Sequence, residues 1–132
     1  MLRAALLIVL LAYVPLAAQN GVNAGRFNVE APTLINLGFD WEISGDANRN
    51  ATVEVQYREA GASAWKDGLP LLRIGGEKVY RQRENLEYIV PHAFAGSILN
   101  LKPGTEYECR LDRKSTRLNS SHSAKSRMPS SA

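Results

Sequence analysis

Between Ile35 and Ile43 the chain alternates without a break. Ile35, Leu37, Phe39, Trp41 and Ile43 are apolar, and Asn36, Gly38, Asp40 and Glu42 stand between them. A period of two predicts a strand with one buried face, because successive strand side chains point to opposite sides. A helix would scatter the same side chains around its circumference. Each large apolar side chain on that face contributes about 1.5–3 kcal/mol when buried, so this strand is expected to anchor a core. The alternation returns after the turn formers Gly45 to Asn50, with Val53, Val55 and Tyr57 on one face and Thr52, Glu54, Gln56 and Arg58 on the other.

The rest of the chain continues in short runs. Ala60 to Ser63 reads as a turn, and Trp65 opens a return strand that extends toward Ile74. Gly75-Gly76 suits a tight turn, followed by a short strand around Lys78 to Arg81. Another strand is expected near Phe94 to Leu101. Pro103-Gly104 then turns the chain into a strand with Tyr107, Cys109 and Leu111 on one face. At the start, residues 19–27 are polar and read as a linker, and Phe27 to Ala31 as an edge strand ended by Pro32. No stretch carries a helical period. Short strands at near-regular spacing predict an all-β sandwich.

Charge changes the picture only once it is located. The formal net charge is +3, from 16 basic and 13 acidic residues. Residues 112–132 hold five of the basic residues and one of the acidic ones, so without them the balance is eleven against twelve. No basic stripe remains, and nucleic acid is not an expected partner. At the other end, Arg3 precedes an apolar run from Ala4 to Val14, then Pro15 and the small residues Ala17 and Ala18. This is the layout of an export signal, with cleavage expected after Ala18. The run of 11 residues is short of the roughly 20 that a membrane span needs. A secreted or periplasmic location follows as an expectation, with no stable membrane span after cleavage.

Trp41, the run "VEVQYREAGASAW" and above all "LNLKPGTEYECRL" together resemble a fibronectin type III domain over residues 28–111. Leu101, Pro103, Gly104, Thr105 and Tyr107 match its Leu-x-Pro-Gly-Thr-x-Tyr signature. The resemblance implies an immunoglobulin-like β-sandwich in which the Tyr107 hydroxyl turns back to the backbone just upstream. Trp41, Tyr57, Leu101, Pro103, Gly104 and Tyr107 are then structural residues. Cys109 has no second cysteine to meet and is expected to fill a core slot. The wider run is similar to N-terminal modules of bacterial exported proteins with a right-handed parallel β-helix, which are often polysaccharide-active. That likeness implies a non-catalytic accessory or spacer module whose partner is a downstream domain of the same chain. Two alternatives are the front sandwich of a purple-acid-phosphatase-like metallophosphatase, which "PHAFAGSILNLKPGTEYECRL" resembles, and a plain adhesion or interaction module.

The last residues carry a likeness of another kind. "DRKSTRLNSSH", Asp112 to His122, resembles the translation of a widely used short-read sequencing adapter. Ser123, Ala124 and Lys125 fall where its variable index lies, and "SRMPSSA" resembles the constant segment that follows. On this reading residues 112–132 are an artefactual, disordered tail with no alternating apolar face. The sandwich is then truncated before its seventh strand.

Little in the domain points to chemistry. His92 has no second ligand at metal spacing, and Asp40, Glu42 and Glu54 fall on polar strand faces where solvated charges belong. No catalytic residue, metal site or cofactor is expected. Asn50-Ala51-Thr52 fits the glycosylation sequon. Trp65, Tyr80 and Tyr88 are candidate carbohydrate contacts, since aromatic faces suit sugar rings; their plainer role is packing area. Polysaccharide is therefore a possible partner.

Overall fold

In the computed structural model, residues 20–115 and 120–130 are described. The expected export signal, residues 1–18, lies outside them. Ten strands follow in order: β1 (Val22–Val29), β2 (Leu37–Gly45), β3 (Thr52–Glu59), β4 (Lys66–Asp67), β5 (Leu72–Ile74), β6 (Lys78–Arg81), β7 (Leu86–Ile89), β8 (Ala93–Ile98), β9 (Glu106–Lys114) and β10 (Ser120–Arg127). One 3-10 turn, Gln82–Glu84, lies between β6 and β7. The first sheet has the order β1-β2-β8-β5 and the second β10-β9-β3-β4, with β6-β7 as a separate hairpin. The fold is an antiparallel all-β sandwich.

The core sits where the two alternating strands face each other. Leu37, Phe39, Trp41 and Ile43 of β2 are buried, as are Val53 and Val55 of β3 and Tyr107, Cys109 and Leu111 of β9. Tyr57 packs partly buried against this cluster. Ile35 falls outside β2 and is exposed. It still serves the fold through its backbone, because its carbonyl accepts the Leu101 N–H at 2.7 Å.

The expected return strand from Trp65 to Ile74 is two strands. β4 pairs with β3 for two residues, and β5 pairs with β8 in the other sheet. Gly68, Leu69 and Pro70 carry the chain across. Proline has no N–H to give a ladder, and an isolated bridge from Val53 to Leu71 marks the crossing.

Two expectations at the ends of the domain are corrected. The first strand starts at Val22, inside the segment read as a linker, and Val22 is fully buried opposite Gly45. A register shift between Ala24 and Phe27 interrupts its pairing, so the sequence shows no clean alternation there. At the far end, β9 continues past Leu111 to Lys114, and Ser120–Arg127 pairs with it along its length. The place beside β9 is therefore filled, not vacant, and the segment read as disordered contains a strand. Ladder hydrogen bonds need only backbone groups, so an edge strand can form without an apolar face. Met128, just beyond it, is buried.

Candidate functional site

One end of the sandwich gathers most of the irregular structure. β1 starts there with Val22 opposite Gly45, β5 ends there with Ile74 opposite Ala93, and β3 starts there with Thr52 opposite Lys114. The β2–β3 turn and the β6–β7 hairpin therefore rise from the same end.

The turn is held by a buried carboxylate that the sequence reading treated as an ordinary turn former. Asp46 has its side chain fully buried and accepts from Arg73 Nε at 3.0 Å and from the Ala51 N–H at 3.2 Å. Its φ of 56° lies in the left-handed region, which Asp tolerates because its short side chain bonds locally. Arg73 also donates to the Ile74 carbonyl and lies 5.6 Å from the centre of the Phe94 ring. Arg113 points into the sandwich nearby, 5.6 Å from the Trp41 ring. Burial lowers its pKa, and the Asp46 charge opposes that shift. The Gly-Asp pair at 45–46 hinted at a turn; nothing local marked Arg73, 27 residues away, as its partner.

At the base of the hairpin, Gly75 has φ 124° and lies against His92, where a Cβ would meet the His92 Cα at 2.4 Å. Only glycine fits that approach. His92 places Nδ1 3.4 Å from Arg73 Nη2. Glu77 accepts the Gly75 N–H at 2.7 Å, and backbone hydrogen bonds from its own residue and from Gly75 hold its pKa low. Gly76 donates to Val90 and Val90 to Glu77, closing the stem.

Beyond that stem the hairpin stands clear of the core. Tyr80 is 60% exposed and Ile89 68%, and Leu86 and Tyr88 are also exposed. Val79 pairs with Tyr88 and Tyr80 with Glu87. Tyr80 and Tyr88 therefore lie on opposite faces of the ribbon. Trp65 is elsewhere, on the outer face of the second sheet, with the guanidinium carbons of Arg58 and Arg110 at 4.4 and 4.6 Å from its ring centre. The three aromatic candidates thus form no single stacking platform.

The candidate carboxylates are also separated. Asp40 and Glu42 line a groove of about 400 Å³ on the first sheet with Glu30 and Gly38. Glu42 pairs with Arg26 at 2.6 Å. Glu54 lies on the second sheet and pairs with Lys114 at 2.6 Å. Among the described residues, no group of three or more His, Cys, Asp or Glu is placed to hold a metal, and no helix is long and apolar enough to cross a membrane. Asn50 is exposed in the β2–β3 turn.

The structural residues have definite places. Trp41 is fully buried, and among the described residues its Nε1 meets no acceptor. The Tyr107 hydroxyl accepts the Lys102 N–H at 3.0 Å, across the turn made by Pro103 and Gly104, whose φ is 68°. Leu101 is buried beneath that turn. Burial pushes the Cys109 thiol up to about 12.

No family profile matches the chain, and no curated protein matches it. Among solved structures it is similar to the sensor domain of the anti-sigma factor RsgI4 of Pseudobacteroides cellulosolvens. A longer form of that domain is 11% identical with a TM-score of 0.47, covering 85% of this chain and 91% of that one. Its solution structure is 12% identical with a TM-score of 0.49, covering 83% and 75%. At these scores the likeness carries no functional argument.

Proposed function

We propose that the domain is a non-catalytic accessory module of an exported protein, of the fibronectin type III kind, and that it meets its neighbour through the β6–β7 hairpin. The order β1-β2-β8-β5 opposite β9-β3 supports the fold assignment, since it follows the A-B-E-D and F-C order of immunoglobulin-like sandwiches, with β10 in the place of the last strand. The Tyr107 corner supports it as well. The hairpin carries the functional reading. A two-stranded ribbon is marginal alone, and Tyr80, Leu86, Tyr88 and Ile89 add nothing to the core. Leu86 and Tyr88 lie on one face of the ribbon and Tyr80 and Ile89 on the other, so both faces offer exposed apolar area to a neighbour that packs around the hairpin.

On this proposal the neighbour is another domain of the parent protein, with a polysaccharide-active parallel β-helix as the favoured kind. Residues 112–132 are proposed to be read from adapter DNA. Uninterrupted source DNA across the Leu111 codon gives the parent sequence; a continuous match through Ala132 removes the adapter proposal. Amide exchange over residues 78–89 then tests the module. It is expected to be fast in this chain and slow in the parent, and equal exchange in both would sink the contact reading. Saturable polysaccharide binding abolished by Trp65→Ala would replace the spacer with a carbohydrate-binding module.

A further inference from the structure

The β6–β7 hairpin joins the sandwich through a hinge that has a titratable ring against it. The hinge is Gly75-Gly76, with φ of 124° and 85°. The His92 imidazole lies along both residues. A Cβ on Gly75 would meet its Nδ1 at 2.7 Å, and one on Gly76 its Cε1 at 3.4 Å. The backbone of His92 is fixed, since its carbonyl accepts the Ile43 N–H at 2.9 Å. The residue is exposed, so protons from solvent reach the ring.

Fixed charges surround that ring. On the β5 side, Arg73 Nη2 lies 3.4 Å from Nδ1. A guanidinium has donors and no acceptor, so Nδ1 accepts here and a neutral ring carries its proton on Nε2. Arg73 is anchored in turn by the buried Asp46 and by the Ile74 carbonyl. On the hinge side, Glu77 accepts the Gly75 N–H at 2.7 Å. Backbone hydrogen bonds hold the Glu77 pKa below the ordinary 4.5, and nearby Arg49 and His92 add to that. On the β2 side, Glu42 is taken up by Arg26 at 2.6 Å.

We infer that His92 is an acid-released latch on the hairpin: neutral, it accepts from Arg73 and leaves Glu77 on the hinge; protonated, it parts from Arg73 and draws Glu77 off the Gly75 N–H. Histidine side chains ordinarily change charge between about pH 5 and 8. A proton on Nδ1 removes the acceptor and sets two cations face to face. Asp46 and Glu42 already serve arginines, so Glu77 is the carboxylate left for the imidazolium. It stays ionised through that window, because its pKa is held low. Without the Glu77 tie, the two glycines are free to turn. The stem bonds from Gly76 to Val90 and from Val90 to Glu77 then open. The latch concerns the hairpin's hold on its own sandwich, and it stands whether or not the hairpin meets a neighbour.

The test is amide exchange in the full chain, expressed as protection factors so that the intrinsic pH dependence of exchange cancels. From about pH 7.5 to about pH 5.5, protection of the Gly76 and Val90 N–H groups is expected to fall about tenfold, close to the contribution of one hydrogen bond. The Leu101 N–H, bonded to the Ile35 carbonyl at the far end of the sandwich, is expected to keep its protection. In His92→Gln the amide oxygen still accepts from Arg73 but does not titrate, so the stem is expected to be equally protected at both pH values. A fall that persists in His92→Gln would trace to another group, such as His122 on β10, and overturns the inference. Unchanged stem protection in the wild-type chain overturns it too, as does an equal fall at Leu101, which would mean that the whole sandwich loosens.

Discussion

Removing one oxygen from Tyr107 tests the corner without disturbing the packing around it. Tyr107→Phe keeps the buried ring and leaves the Lys102 N–H without its acceptor. We expect a loss of about 1–2 kcal/mol, read by urea unfolding. Asp46 is the more demanding position. Asp46→Asn keeps the turn geometry but leaves Arg73 largely buried without its counter-charge, a loss of about 3 kcal/mol. Adding Arg73→Met is expected to recover part of it. A double variant less stable than the single one would show that Arg73 is held by Phe94 and Ile74 more than by Asp46.

At the scale of elements, the hairpin and the sheets behave as separate parts. Replacing Lys78–Ile89 by a short glycine turn removes only exposed or half-exposed side chains. Its effect on stability is expected to stay within about 0.5–1 kcal/mol, against several for a truncation at Trp41. A large drop in the melting midpoint would mean that the hairpin supports the stem around His92. Legibility in the sequence follows the same division. β2, β3 and β9 each bury one face, so period two was written into Leu37 to Ile43, Val53 to Tyr57 and Tyr107 to Leu111. Edge strands pair through backbone alone. β1, with its register shift, and β10, with serine at four of its eight places, gave no such pattern. The hairpin's second strand was likewise unreadable, because no core selects its side chains. The Asp46–Arg73 pair was hidden for a different reason: it joins two segments in space, and neither carries a local mark.

For the whole molecule, acid is the informative variable. Glu59, Glu77 and Glu108 all have pKa values held below the ordinary 4.5, through hydrogen bonds from Lys102, from backbone N–H groups and from Arg58 with Lys125 respectively. A carboxylate with a lowered folded-state pKa binds fewer protons folded than unfolded. Its stabilisation is present above the unfolded value and is lost as pH falls through the folded one. The melting midpoint is therefore expected to decline below about pH 4.5. Glu108→Gln should flatten part of that decline, and an unchanged slope would show that its pairs on the exposed sheet face contribute nothing.

The solitary thiol makes opening of the sandwich countable. Cys109 sits in the inward row of β9 between Tyr57 and Ala124, 1% exposed, with no other cysteine in the chain to compete for a reagent. A thiol protonated up to about 12 and shielded by both sheets stays silent while the sandwich is closed, since the thiolate is the reacting species. Each labelling event then records one excursion that uncovers the inward face of β9, whether the edge strand β10 leaves or the sheets part, and the molecule carries its own stopwatch.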